Sequence, residues 1–305
     1  MNKICYIAGY IDGDGCLYIG RYIQNPKNIV VYEYSIQILS VKPSVLYEFK
    51  AQYGGSIRQK ADRFRHKTPY VWTIKNKECF ELARKVKNKL LDKKKSCSYF
   101  IKFIKTIKPN YGTAISEQIL KTRNKLIDKI REEKHMLDLV TQEKIASLKT
   151  CESIKPCEED FAYLAGLIDA EGCFRVKSWK PKNKPNKVYA ISLEIGNTRF
   201  PIFPWLTERF GGNIVFIPTK GIKRASATWN ISALALSHII NEIIPFLRIK
   251  KDTAQRILEF YNTNLPNGGD RHSEEFKKLY AEKLIERERI IEQLHILNLK
   301  GLKIK

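Results

Sequence analysis

Two stretches of the chain, Tyr6-Ile-Ala-Gly-Tyr-Ile-Asp-Gly-Asp-Gly15 and Tyr163-Leu-Ala-Gly-Leu-Ile-Asp-Ala-Glu-Gly172, repeat one pattern. Each reads as a small-residue helix that ends in an acid–glycine pair and passes into an alternating, strand-like run. Asp14 and Glu171 hold equivalent places, 157 residues apart. A carboxylate duplicated at the end of a duplicated helix implies two copies of one folding unit, each of ordinary domain size.

The order of elements around the two helices agrees. After the first come alternating runs at 16–23 and 30–39, a helical stretch at 43–53 that closes on Gly54-Gly55, strands at 56–60 and 70–75, and helices at 78–91 and 96–107 before Pro109. The second half repeats the order. It has strands at 173–179 and 187–195, a helix ending at Gly211-Gly212, strands at 213–217 and 225–231, and two helices through Tyr261. Between the halves, Ile115, Ile119, Leu126, Ile130, Leu137, Val140 and Leu148 recur at helical spacing, so 114–149 reads as one or two amphipathic helices. Beyond a Pro-Asn-Gly-Gly turn, Ser273 is placed to cap a terminal helix with Phe276, Leu279, Tyr280, Leu284, Ile291 and Leu294 on one face. The expected fold class is α+β: two pseudo-twofold αββαββα repeats, at 1–108 and 159–263, with a helical connector at 109–158 and a helical extension at 264–305.

Composition points to the partner. Lys and Arg number 55 against 32 Asp and Glu, a net charge of +23, and the cations are interleaved with Tyr, Trp and Phe instead of forming a tail. Such an excess favours a polyanion, nucleic acid first. Seven cysteines without a C-x-x-C spacing indicate reduced thiols, not a zinc ribbon or a disulfide framework. Gly9, Asp12, Gly13 and Asp14 interrupt any signal-like core, and no run nears the roughly 18 to 20 apolar residues of a membrane span, so no membrane partner is expected. Abundant Lys, Ile and Asn suit an A·T-rich organellar, bacterial or phage genome.

Gly9 and Gly13, matched by Gly166 and Ala170, put small residues one turn apart on one helical face, which permits close helix contact. If the two helices pack through those faces, Asp14 and Glu171 emerge together at their C-terminal ends, where the helix dipoles are also negative. Two acids there repel each other and a phosphate unless a cation intervenes. Mg²⁺ suits oxygen donors from carboxylates, backbone carbonyls and phosphate; Asp14, Glu171, Gly13 and Ala170 are the candidate metal-binding residues, with Mn²⁺ or Ca²⁺ able to substitute for binding. A metal shared by two acids is the arrangement of assisted phosphodiester hydrolysis. Asp12 and Asp169 also repeat, but two residues earlier they point elsewhere on the helix, in a structural or supporting role.

Both motifs resemble those of the LAGLIDADG homing endonucleases, of the monomeric type with two motifs in one chain. Leu164-Ala-Gly-Leu-Ile-Asp-Ala-Glu-Gly172 departs from the family string only by Glu for Asp, and Ile7-Ala-Gly-Tyr-Ile-Asp-Gly-Asp-Gly15 departs at Ile7, Tyr10 and Gly13. The resemblance implies saddle-shaped antiparallel sheets, motif helices packed at the repeat interface, metal held by Asp14 and Glu171, and basic and polar residues that orient water and stabilise the transition state. Aligning Leu91-Asp-Lys-Lys94 with Leu247-Arg-Ile-Lys250 makes Lys94 and Lys250 the expected basic pair, with Lys95 and Lys251 as alternatives. Phosphate contact or a solvated helix face is the rival reading of these lysines. Ser40 and Asn197 match as polar water-positioning residues, or as ordinary turn residues.

Alternation along the strands picks the surface that would read DNA. It selects Tyr18, Tyr22, Gln24, Glu33, Ser35 and Gln37 in the first half and Arg175, Lys177, Trp179, Ser192 and Glu194 in the second, with Ala190 on the same face. Arg58, Lys60, Thr73, Thr228 and Asn230 extend it, whereas Trp72 and Trp229 belong to the core. A twisted ribbon fits the major groove, where Arg and Lys read guanine, Gln reads adenine and Glu accepts from cytosine, so the two halves should read different half-sites. The expected activity is Mg²⁺-dependent cleavage of both strands of a long, imperfectly palindromic duplex site by a monomer, encoded within an intron. The termini, Met1-Asn2 and Ile304-Lys305, lack an intein's His-Asn end, so a free-standing protein is expected. A maturase binding its own intron RNA and a non-cleaving DNA-binding regulator are the alternatives.

Overall fold

The computed structural model describes residues 2–24, 29–60, 69–107, 116–133, 154–182, 187–218, 225–263 and 273–299. Helix α1 (Lys3–Asp14) leads into strands β1 (Gly15–Gln24) and β2 (Ile29–Ser40), helix α2 (Pro43–Tyr53), strands β3 (Ser56–Gln59) and β4 (Tyr70–Lys75), and helices α3 (Asn76–Val86) and α4 (Lys94–Lys105). Helix α5 (Glu117–Glu132) follows. The second repeat runs α6 (Glu158–Glu171), β5 (Gly172–Trp179), β6 (Val188–Asn197), α7 (Ile202–Phe210), β7 (Asn213–Ile217), β8 (Ser226–Ser232), α8 (Ala233–Ile243) and α9 (Lys251–Asn262), and α10 (Glu274–Leu299) ends the description. The sheets have the same antiparallel order, β1-β2-β4-β3 and β5-β6-β8-β7. The α+β duplication expected from the motifs is therefore present, and among the described residues no helix is long and apolar enough to cross a membrane.

Each sheet buries one face. In the first, Leu17, Ile36, Ile38, Trp72 and Ile74 point into the core, and in the second Phe174, Leu193, Ile195, Trp229 and Ile231 do the same. Both tryptophans are core residues, as expected. Each indole donates across to a glycine carbonyl that ends the preceding helix, Trp72 Nε1 to Gly54 at 2.9 Å and Trp229 Nε1 to Gly211 at 2.8 Å. Gly54 (φ +80) and Gly211 (φ +66) adopt the left-handed conformation that turns each helix into its edge strand, a conformation costly for a side chain with Cβ.

The motif helices cross at their glycines. A Cβ on Gly9 would stand 2.0 Å from the Tyr163 carbonyl oxygen, and one on Gly166 would stand 2.0 Å from the Tyr6 carbonyl oxygen. One on Gly13 would meet the Ala170 Cβ at 2.5 Å. Backbone-to-backbone contact this close leaves no room for a methyl group, which is why the pattern needs small residues one turn apart.

One boundary and one face differ from the sequence reading. The helix expected over 78–91 stops at Val86, because Leu91, Asp92 and Lys93 turn their N–H groups onto Asp12 instead of continuing helical bonds. Helix α5 packs on the core through Ile130, Leu126 and Ile127, with buried Arg123 bound to Thr106 at 2.7 and 3.0 Å. The part of the expected connector helix beyond 133 lies outside the described residues. In α10, Ser273 Oγ accepts from the Phe276 N–H, but the deepest residues are Ile290 and Leu294, whereas Leu279 is exposed.

Candidate active site

The reciprocal crossing brings the ends of α1 and α6 together. The Cβ position of Gly13 lies 3.2 Å from Glu171 Cγ, so Glu171 leans over the last turn of the helix that ends in Asp14. Burial pushes the Asp14 carboxyl up to about 6; Glu171 adds repulsion, which Lys250 and Lys93 partly offset. The two acids thus stand close enough for the Glu171 charge to oppose the ionisation of Asp14.

The lysines differ from the sequence alignment in one place. Lys250 is where expected, with Nζ donating to the carbonyls of Ile168 (2.5 Å) and Asp169 (3.1 Å) at the end of α6. Its counterpart is Lys93, not Lys94. Lys93 Nζ reaches the carbonyls of Ile11 (2.6 Å), Asp12 (2.7 Å) and Gly13 (3.3 Å), while Lys94 opens α4 with its side chain exposed. Lys95 and Lys251 are exposed as well, Lys95 lying 3.9 Å from Glu133. The reason is register: Asp12 gathers the N–H groups of residues 91–93 and Asp169 those of 248–250, so the repeats superpose at an offset of 157, and 93 pairs with 250. That offset, already set by Asp14 and Glu171, is the signal that identifies Lys93. Burial holds both ammonium groups below the usual lysine range, against the opposing pull of Asp12 and Asp92 on Lys93 and of Asp169 and Asp14 on Lys250.

Asp12 and Asp169 join the repeats. Besides its own three backbone donors, Asp12 Oδ2 accepts from the Tyr163 hydroxyl at 2.6 Å, and Asp169 Oδ2 accepts from the Tyr6 hydroxyl at 2.7 Å. Each buried carboxylate positions the lysine of its own repeat and grips the motif helix of the other. Tyr6 and Tyr163 escaped the sequence reading because an apolar helix face gives no sign of what a phenol meets across an interface. Arg248 lies over the Tyr6 ring, its Cζ 4.1 Å from the centroid, and bonds Glu48 at 2.7 Å; Arg199 pairs with buried Asp92 at 2.8 Å and Lys89 with Glu159 at 2.5 Å, so ionic contacts also cross between repeats.

Ser40 and Asn197 end β2 and β6 and act as turn residues: Ser40 Oγ accepts from Lys42 N at 3.2 Å, and Asn197 Oδ1 accepts from Arg199 N at 2.9 Å.

Strand register puts the selected positions within the strands on the faces opposite the cores, and Lys60 follows directly after β3. Tyr18 faces Ser35, Gln37 faces Thr73, and Thr73 in turn faces Ser56; in the second sheet Arg175 faces Ser192, and Glu194 lies between Cys173 and Asn230. Tyr18, Tyr22, Gln24, Arg58, Lys60, Arg175, Lys177 and Trp179 are exposed, and Glu33, Gln37, Glu194, Thr228 and Asn230 are half-buried. Ser35, Thr73 and Ser192 are buried despite correct parity, because longer neighbours close over these short side chains; Gln37, for example, donates to Ser35 at 3.0 Å. Glu194 accepts from Arg175 at 2.8 Å and Lys177 at 3.3 Å, and Glu33 pairs with Lys75. The same parity adds exposed Cys16 and Cys173, two residues beyond the paired acids.

Among the described residues no cluster of three or more His, Cys, Asp or Glu could enclose a metal. Two neighbouring carboxylates at the helix ends instead fit a hard cation that takes its remaining oxygens from water and phosphate, the habit of Mg²⁺.

Residues 164–264 match the family model described as LAGLIDADG endonuclease. No curated protein sequence matches the chain significantly. Among solved structures, the meganuclease I-SmaMI bound to uncleavable DNA is 15% identical, with a TM-score of 0.60 over 95% of this chain and 97% of that one. I-SmaMI bound to an uncleaved DNA target in the presence of calcium ions is 14% identical, with a TM-score of 0.59 over 94% and 97% of the two chains. The LAGLIDADG meganuclease I-AabMI bound to uncleaved DNA is 16% identical, with a TM-score of 0.61 over 94% and 97%. At such identities the structural likeness speaks for the fold alone, that of two-repeat LAGLIDADG meganucleases, while the family match falls on the second repeat, which carries the Glu171 motif.

Proposed function

We propose that the chain is a sequence-specific endonuclease of duplex DNA, dependent on a divalent cation, Mg²⁺ in its natural setting, and active as a monomer. The observation that carries this reading is the convergence of Asp14 and Glu171 at the crossing of α1 and α6, between two sheets whose outward faces are polar and basic. Their carboxylates, with the neighbouring carbonyls of Gly13 and Ala170, would hold the cation. When bound, the cation offsets charge on the scissile phosphate and acidifies the attacking water.

The protein's own groups supply the rest. Lys93 and Lys250 bring one positive charge from each repeat to the helix ends, where negative charge grows on the phosphate during attack. Their desolvation makes that charge count for more than it would in water. The sheets hold the duplex, one half-site each, through major-groove contacts from Tyr18, Tyr22, Gln24, Arg58 and Lys60 on one side and Arg175, Lys177, Trp179 and Asn230 on the other. Like frames bearing unlike side chains suit an imperfectly palindromic site. A gene lying within an intron of an A·T-rich organellar, bacterial or phage genome accords with the family and the composition. The surplus of 23 positive charges sets affinity through phosphate contacts and makes it fall with salt.

The test is incubation with a randomised duplex library in Mg²⁺ or chelator, followed by sequencing of the ends. Defined ends should appear only with metal, and Asp14→Asn or Glu171→Gln should abolish them while leaving binding in place. Normal cutting by both variants would refute the assignment.

A further inference from the structure

The two repeats differ in chemical character at one edge. Strand β7 is the edge strand of the second sheet, and its Ile214 and Phe216 pack against the core. The alternating residues, Val215 and Ile217, are 56% and 51% exposed. Edge strands ordinarily carry charge or polar groups at such places. Register sets both on the face of Arg175 and Asn230: Val215 lies opposite Thr228, which lies opposite Gly196, and Asn213 lies opposite Asn230, which lies opposite Glu194. In the first repeat, at the same offset of 157, the equivalent positions are Arg58 and Lys60, both exposed. One place on one face is thus cationic in the first repeat and aliphatic in the second.

We propose that Val215 and Ile217 are specificity-determining residues that pack against the 5-methyl groups of thymines in the half-site held by the second repeat. The inference rests on the duplex-DNA reading above and names what this part of the surface recognises. Thymine's methyl is the apolar group that base pairs present in the major groove. Alternate residues on one strand lie about 7 Å apart, close to two steps of duplex at about 3.4 Å each, so the pair spans thymines two steps apart. The polar neighbours on the same sheet reinforce the division, because Arg175 and Lys177 are both held by Glu194. A second copy of the chain is the poorer occupant of this apolar patch, since a net charge of +23 opposes self-association.

The test selects bound duplexes from a randomised library in chelator, so that nothing is cut, and then resynthesises the selected duplex with deoxyuridine for thymidine in one half at a time. The half whose base preference shifts with Arg58→Ala belongs to the first repeat. Deoxyuridine in the other half should weaken binding about fourfold per methyl lost, and the double variant Val215→Ala/Ile217→Ala should lose that sensitivity while still binding the first half-site normally. Equal affinity for both bases, or sensitivity that persists in the double variant, overturns the proposal but leaves the endonuclease reading intact. Absence of binding to any duplex overturns both. A doubled mass in light scattering that Ile217→Lys abolishes assigns the patch to self-association and overturns this inference alone.

Discussion

Replacing Asp12 or Asp169 with Asn should unfold far more than one hydrogen bond's worth of structure. Asp12 accepts four bonds, from Leu91 N (2.7 Å), Asp92 N (3.1 Å) and the Tyr163 hydroxyl (2.6 Å) on Oδ2, and from Lys93 N (2.8 Å) on Oδ1. An amide offers one acceptor oxygen and one donor nitrogen. Set to keep the three bonds on Oδ2, it faces the Lys93 N–H with another donor; set the other way, it abandons three. In the better orientation three bonds to a charged acceptor become neutral, at roughly 1 kcal/mol or less each, and one buried donor is stranded at roughly 1–3 kcal/mol. The expected loss is about 3–5 kcal/mol for either variant, a large part of the roughly 5–15 kcal/mol that holds a typical domain. Denaturant unfolding of the wild type and both variants measures it, read from midpoint shifts at an unchanged slope. A loss below about 1 kcal/mol in both would refute the idea that these carboxylates lock the repeats together.

Gly9→Ala forces a methyl group to within 2.0 Å of the Tyr163 carbonyl oxygen, so the motif helices must separate; overpacking of this kind costs at least roughly 1–3 kcal/mol, visible as a lower Tm. Asp14 tests the conflict between function and stability. Its carboxyl is raised from 3.8 to about 6, so the proton binds the folded state more tightly, and the stability this contributes is present below about pH 4 and lost as pH rises through about 6. In chelator, Asp14→Asn should therefore be about 1–3 kcal/mol more stable than wild type at pH 8 and nearly equal to it at pH 4; a destabilised variant at pH 8 would count against the shared-acid geometry. Lys93→Met should lower the cleavage rate on the selected duplex about 100-fold or more, the scale for losing one charge-stabilising donor, whereas Lys94→Met should leave it nearly unchanged. The opposite ranking would restore Lys94 to the site.

Much of this molecule is legible in one dimension because its information is local and duplicated. Small residues one turn apart reveal a helix that another backbone approaches closely, and alternation assigns Tyr18, Arg58, Arg175 and Asn230 to the outward face without any knowledge of the partner strands. The repeat also makes Trp72 and Trp229 recognisable as core, since a position that stays aromatic in both copies serves the shared frame. A reading confined to neighbours fails where a contact spans 80 residues or more. Nothing near Lys93 shows that Asp12 will collect the N–H groups of 91–93, end the preceding helix early and aim Lys93 in place of Lys94. Nor does parity reveal that Ser35, Thr73 and Ser192 sit too low to touch a groove.

Periodicity and repetition alone thus determined the elements, the twofold plan and the acids at its centre, because backbone sterics and side-chain alternation act within a few residues of each position. The tertiary structure decided which lysines lie beside those acids, how Tyr6 and Tyr163 tie one repeat to the other, and where the two outward sheet faces part company at Arg58 and Val215. Those outcomes depend on burial and on hydrogen bonds between groups far apart in the chain, whose energies exist only once the two helices have met.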